Sequence, residues 1–306
     1  MPNLKDIKNR IKSIKSTGKI TQAMKMVAAA KVKKAESAAK ESRAYSEYLV
    51  KIFAELIGEN ADFSQTTSPN TNPLSNYGVL LSKRKVQNVG ILVLTADKGL
   101  AGGYNSNVIK ETTRKVNELK SQGFGVKLFV VGLKGIIAMR KAYDNTDVEL
   151  IKNYSKIPPI VEVEVANMMA EDIAKAYVDG RIDEIDVIFT EFKSRLSYKV
   201  KSFKLLPVEP EVKDAKGVNP EMIFEPSKEV VLQKLLPMYV SNTIYNALKE
   251  SIASELSARM NAMTNATKNA EEMVASLSVT YNKIRQSNIT NEILEVVSGA
   301  NSIKGK

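Results

Sequence analysis

The side chains that most often do chemistry are absent from this chain or scattered along it. With no His and no Cys in 306 residues, the usual acid/base group, the usual metal ligands and every thiol are missing. Carboxylates cluster at Asp183/Glu184/Asp186 and at Glu271/Glu272. Without His, Cys or a second spaced acidic cluster they assemble no catalytic constellation, and they read as solvating groups or helix-end charges. One loop has the position of a phosphate cradle: Asp97-Lys-Gly-Leu-Ala-Gly-Gly-Tyr104 follows a strand-like run and opens a helix. It carries neither Gly-Lys-Ser/Thr nor a matched Gly-x-Gly-x-x-Gly. A tight turn that packs a helix closely on a sheet is the better reading, with a nucleotide loop as its competitor.

Charge is more informative than acid/base chemistry. The net charge is +11, and residues 1–43 hold twelve Lys/Arg against three acids, a net of +9. Such a segment implies an anionic partner, either nucleic acid or an acidic protein surface, unless it is only a solvated helix face. The absence of Trp, the few aromatics near the basic run and the lack of a nucleic-acid module weigh against the first. Met24, Met26, Met260, Met263 and Met273 read either as an adaptable contact surface or as filling between packed helices. No run approaches the roughly 18 uncharged apolar residues of a membrane span. The start Met1-Pro2-Asn3-Leu4-Lys5-Asp6 has no apolar signal core, so the chain is expected to stay where it is made and to reach a membrane only through partners.

The elements that must position these groups are legible from periodicity. From Leu4 to Ile57 there is no Pro, and Ile7, Ile11, Ile14, Gly18, Thr21, Met24, Ala28, Val32 and Ala35 recur every three or four residues. One helix of that length would run about 80 Å at roughly 1.5 Å per residue, which implies a coiled coil or a shaft. Residues 58–76, rich in Ser, Thr, Asn and Pro, read as a loop. Apolar runs at 89–95, 126–131, 148–151 and 185–190 then alternate with helical patterns at 108–119, 135–143 and 161–178, the signature of a mainly parallel sheet with helices on both faces. Residues 198–205 alternate Lys with apolar residues, as an edge strand does. Beyond Pro226, helix returns to the end of the chain, with a seam at Leu256, Met260, Met263, Thr267, Ala270, Val274, Leu277, Tyr281 and Ile284. Two such helices satisfy each other best as an antiparallel pair, with Ala28, Ala29, Ala30 and Ala270 allowing close approach. The expected fold class is therefore α/β: a long antiparallel coiled coil of N- and C-terminal helices plus a Rossmann-like domain. Its boundaries are 1–57 for the first helix, 58–76 for the loop, 77–226 for the α/β domain and foot, and 227–306 for the second helix.

Three motifs carry a resemblance. "KITQAMKMVAAAKVKKAE" (19–36), "LTADKGLAGGYN" (94–105) and the pair "ARMNAMTNATKNAEEM" (258–273) and "YNKIRQSNITNEILEVVSGA" (281–300) closely resemble the γ subunits of rotary F-type ATP synthase. That resemblance implies a central rotor shaft without an active site, cofactor or metal of its own. Its helix pair would enter a ring of three α and three β subunits, with the ε subunit and the c-subunit ring at the other end. By the same analogy Met24 and Lys25 would face a β subunit. Arg285 and Gln286 would reach an acidic loop of β, and Glu225, in Phe224-Glu225-Pro226, would lie near the c ring. From charge, Lys25, Lys31, Lys33 and Lys34 are expected to face acidic loops of the surrounding ring. The resemblance also implies a peripheral place on the cytoplasmic side of a bacterial cell membrane. Thiol control is not expected, since the cysteine-bearing insertion of chloroplast forms is missing. The competing readings are a basic coiled-coil nucleic-acid binder and a small-molecule enzyme built on the α/β domain.

Overall fold

The computed structural model describes residues 3–57, 77–208, 225 and 228–304. The expected loop at 58–76 and most of the foot, including Phe224 and Pro226, lie outside the described residues. The elements in chain order are α1 (Leu4–Ile57), α2 (Tyr77–Leu81), β1 (Asn88–Leu94), α3 (Tyr104–Ser121), β2 (Gly125–Val131), α4 (Leu133–Tyr143), β3 (Glu149–Tyr154), α5 (Val163–Val178), β4 (Glu184–Phe192), β5 (Tyr198–Leu206) and α6 (Lys228–Lys304). Two compact units emerge: Met1–Ala29 with Arg259–Lys306, and Ala30–Ala258.

The first unit is a helix pair. Asn3 starts α1 by accepting the Lys5 N–H on its side chain, 3.2 Å, and the Asp6 N–H on its carbonyl, 2.9 Å. Thr21 and Thr267 share a hydroxyl hydrogen bond of 2.8 Å. A Cβ placed on Gly18 would stand 3.4 Å from the Ala270 Cβ. Moving forward from 18 to 21 on α1 thus moves back from 270 to 267 on α6, so the helices are antiparallel. Every predicted seam residue of this unit is buried or half-buried, from Ile7 to Ala28 and from Met260 to Ile284. The expectation for the Ala run needs correction: Ala28 is buried, whereas Ala29 and Ala30 are exposed. Each residue turns the helix by about a quarter-circle or more, so three successive residues cannot share one narrow seam. Ala270 allows close approach as expected, with Gly18 opposite it. The methionines divide between the two readings: Met263 is buried, Met24 and Met260 are half-buried, and Met26 and Met273 point outward at 61% and 47% exposure.

The second unit is built on a five-stranded sheet in the order β3-β2-β1-β4-β5. β1 pairs in parallel with β2 and β4, β2 with β3, and β5 closes the edge antiparallel to β4. Alternation along buried strands separates two cores. Leu92, Leu94, Phe129, Val187 and Phe189 face α5, Phe53 of α1 and the start of α6. Ile91, Val93, Leu128, Val130 and Ile188 face α3 and α4. Pro237 lies inside α6, where it removes one backbone donor. Leu232, Leu236 and Val240 around it are buried in the first of these cores, and that packing offsets the loss. The same helix pairing continues here within the unit: Phe53 stacks on Tyr239 at 4.7 Å, and Arg43 binds Glu250 at 2.7 Å.

Candidate functional site

In open parallel sheets the ligand crevice lies beyond the strand ends at the switch point, which here falls between β1 and β4. The loop after β1 spends its polar groups on the fold. The Thr95 hydroxyl donates to the Val131 carbonyl at 2.6 Å and accepts the Gly135 N–H at 2.9 Å. Asp97 accepts the N–H of Leu133, the first residue of α4, at 2.9 Å, so the one carboxylate of the Gly-rich loop caps a helix. Asn105 accepts the Ala96 N–H and donates to the Lys98 carbonyl. Gly132 has φ +92, and a Cβ there would meet the Thr95 carbonyl oxygen at 2.4 Å, so only glycine fits. The crevice itself is filled from within: Ala101 and Tyr104 pack on Ala258 of α6, and Ser254 of α6 donates to the Thr190 carbonyl of β4. Burial raises the Tyr104 phenol above its ordinary pKa. The Gly-rich segment is the tight packing turn, and α6 stands where a nucleotide would lie.

The groups singled out for partner contact have a different character. Between Lys5 and Lys34 the one acid of α1 is Asp6. Its cations there are exposed except Lys25, which is half-buried, and none makes an ion pair among the described residues. Farther along α1, by contrast, Lys40 pairs with Glu36 and Arg43 with Glu250. The positive charge of the N-terminal half is therefore left facing outward. Met24 is half-buried beside Lys25, while Arg285 and Gln286 are exposed. At about 1.5 Å per residue, the 24/25 and 285/286 positions are separated by roughly 30 Å along the pair and form two distinct points. Glu225 is exposed in a bend and belongs to the other unit.

A further surface escaped the sequence reading. The register that sets Gly18 against Ala270 puts Leu4, the first residue of α1, opposite Ile284. From Arg285 to Ala300 every residue of α6 is exposed. Ile289, Ile293 and Val297 recur every four residues there, flanked by Leu294 and Val296, all at 47% exposure or more. The signal was an apolar spacing that continues past the end of the partner helix.

An asymmetric helix pair with an outward positive face, an uncovered apolar end and a plugged α/β crevice defines a subunit made to be held by other chains. A family model described as ATP synthase matches residues 3–303. A Heliobacterium modesticaldum protein named ATP synthase gamma chain is 40% identical across 98% of this chain and 99% of its own length. An Anaeromyxobacter protein of the same name is 38% identical across 99% of this chain and 100% of its own. The chain belongs to the ATP synthase gamma-chain family. Among solved structures, the central stalk and c-ring of Tetrahymena thermophila mitochondrial ATP synthase includes a chain 26% identical, with TM-score 0.57 over 81% of this chain and 99% of that one. A chain of the Euglena gracilis mitochondrial ATP synthase matches in fold, with TM-score 0.65 at 17% identity over 98% of this chain and 94% of that one.

Proposed function

We propose that this chain is the central rotor shaft of an F-type ATP synthase, coupling ion flow through the membrane sector to ATP synthesis or hydrolysis at the α/β ring by rotation. The observation that carries this reading is likeness over the full length of named gamma chains, across both terminal helices and the sheet between them. In this role the chain has no active site of its own. Its partners are three α and three β subunits, the ε subunit and the c ring, and it is held peripherally at the cytoplasmic side of a bacterial membrane. The family supplies the basic segment with protein neighbours, so acidic loops of the ring are preferred to nucleic acid as the counter-charge of its cations up to Lys25.

The mechanism follows from symmetry. Three identical catalytic sites around a symmetric rod would have equal affinities. An asymmetric rod contacts each β subunit differently and stabilises a different conformation at each, acting as a ligand with differential affinity. A third of a turn passes each conformation to the next site. Rotation requires contacts that are easily broken, which suits the soft thioether of Met24, the flexible four-carbon stem of Lys25 and small neighbours. Arg285 and Gln286 form the second contact, where a planar guanidinium can hold a carboxylate of β in a fork. Glu225 is the contact toward polar loops of the c ring.

Mixing the purified chain with the family's α and β subunits tests the proposal directly. Assembly of a complex that hydrolyses ATP faster than α and β alone is the expected result; no assembly and no rate enhancement would overturn it.

A further inference from the structure

Within the second unit a groove of about 530 Å³ opens between three segments. Ala30, Ala35 and Ala38 of α1 form one wall, Pro158, Pro159 and Ile160 of the β3–α5 loop form another, and Ile252 and Leu256 of α6 form the floor. This volume is within the ~300–1,000 Å³ range of small-molecule sites, and its lining is mostly aliphatic. Two consecutive prolines fix φ along one wall, and Val161 behind them is buried at 5% exposure, so the groove is largely pre-formed. The Tyr245 hydroxyl ties the same loop to α6 by donating to the Val161 carbonyl at 3.3 Å.

The rim is cationic. Lys31, Lys34 and Lys249 border the groove, and no acid among the described residues lines it. The Lys249 ammonium is held 4.1 Å from the centroid of the Tyr245 ring, and none of the three lysines makes an ion pair among the described residues. An adjoining hollow shares Tyr245 and Lys249 with the groove and is lined also by Glu41. An aliphatic trough with uncompensated ammoniums at its mouth is complementary to one kind of molecule: an apolar chain ending in an anion.

We propose that this groove is a binding site for a free fatty carboxylate of medium length, its alkyl chain against Ala35, Pro159 and Ile252 and its carboxylate among Lys31, Lys34 and Lys249. Each buried methylene contributes by leaving water, and the ammoniums fix the direction of entry. The Lys249 ammonium is already anchored over an aromatic face, so ordering it costs little when the carboxylate arrives.

The probes are dodecanoate and the dodecyltrimethylammonium cation, each below its micelle concentration, titrated calorimetrically into the full chain and into the complex assembled with α and β. Saturable binding of dodecanoate to both, with the cation at least tenfold weaker, is expected. Lys249→Gln and Lys34→Gln should each weaken dodecanoate about tenfold, the loss of one charge-assisted contact. Ala35→Phe should abolish binding by filling the trough, with helix content unchanged by circular dichroism. Equal binding of the anion and the cation, or unaltered binding in both lysine variants, would overturn the site. Binding to the free chain that vanishes in the complex would overturn it too, because the groove would then be a seat for a protein neighbour. These readouts require no ATP turnover, so they stand apart from the rotor reading.

Discussion

Glu250 is 4% exposed, and its one ion-pair partner among the described residues is Arg43. Arg43 reaches it with Nε at 3.1 Å and a terminal nitrogen at 2.7 Å, and the same terminal nitrogen donates to the Phe192 carbonyl at 3.1 Å. One guanidinium therefore ties α1, α6 and the end of β4 within the second unit. Breaking a buried pair leaves a charge in an apolar setting, whereas replacing both partners by apolar groups removes the cost with the gain. Arg43→Met should lower unfolding stability in urea by about 3 kcal/mol, and adding Glu250→Leu should restore most of it. If the double variant were no more stable than the single one, the pair would not be acting through burial of Glu250. The pairing was invisible in the sequence because its two residues stand 207 positions apart, and nothing local distinguishes Arg43 from Lys33 or Lys34, which make no ion pair among the described residues.

Among elements, burial on the first sheet face has a titration signature. Tyr177 of α5, fully buried, has its phenol pushed up to about 12 from 10.0, chiefly by desolvation and against the opposing pull of Arg84, whose guanidinium stacks 4.4 Å from the ring centroid. Tyr154 of β3 is raised as well, by burial and by its hydrogen bond to Asp172. The folded chain thus keeps phenol protons that the unfolded chain gives up. The associated stability is complete below pH 10.0 and is lost as pH climbs toward about 12. Urea unfolding at about pH 8 and about pH 11 should show that fall, and Tyr177→Phe should reduce it; an equal fall in the variant would assign the effect to other groups. The elements themselves were largely readable. Continuous apolar runs marked β1, β2 and β4 because both faces are buried, and the Lys alternation of β5 marked an edge with a wet face. β3 reaches Tyr154 although its sequence "ELIKNY" is too polar for periodicity to define. α2 is a single five-residue turn of chain, too short for any helical pattern to register. The plug of Tyr104 on Ala258 was beyond reach for the same reason as the Arg43 pair: packing between distant segments leaves no period in either.

At the scale of the whole molecule, the terminal helices do different work along their length. Where α1 and α6 face each other, the seam is satisfied within the chain, and its residues were predictable one by one from steps of three and four. Past Ile284 the partner helix has ended, and α6 continues with Arg285 and Gln286 followed by an exposed apolar stripe through Val297. Sequence periodicity alone could not separate these two regimes, because it reports that a helix has an apolar face and not who covers it. In the proposed rotor that face is covered by the catalytic ring, and Arg285 with Gln286 grips a β subunit as each site changes state. Replacing both by Ala should leave folding intact, since neither side chain is buried. Loss of one charge-assisted contact at the transition between states is equivalent to about tenfold in rate. We therefore expect Arg285→Ala/Gln286→Ala complexes in vesicles to synthesise ATP about tenfold more slowly, with the circular dichroism and thermal unfolding of the isolated chain unchanged. Synthesis at the full rate would show that the end of α6 turns within the ring without that grip. The apolar stripe alone would then have to hold the shaft in place.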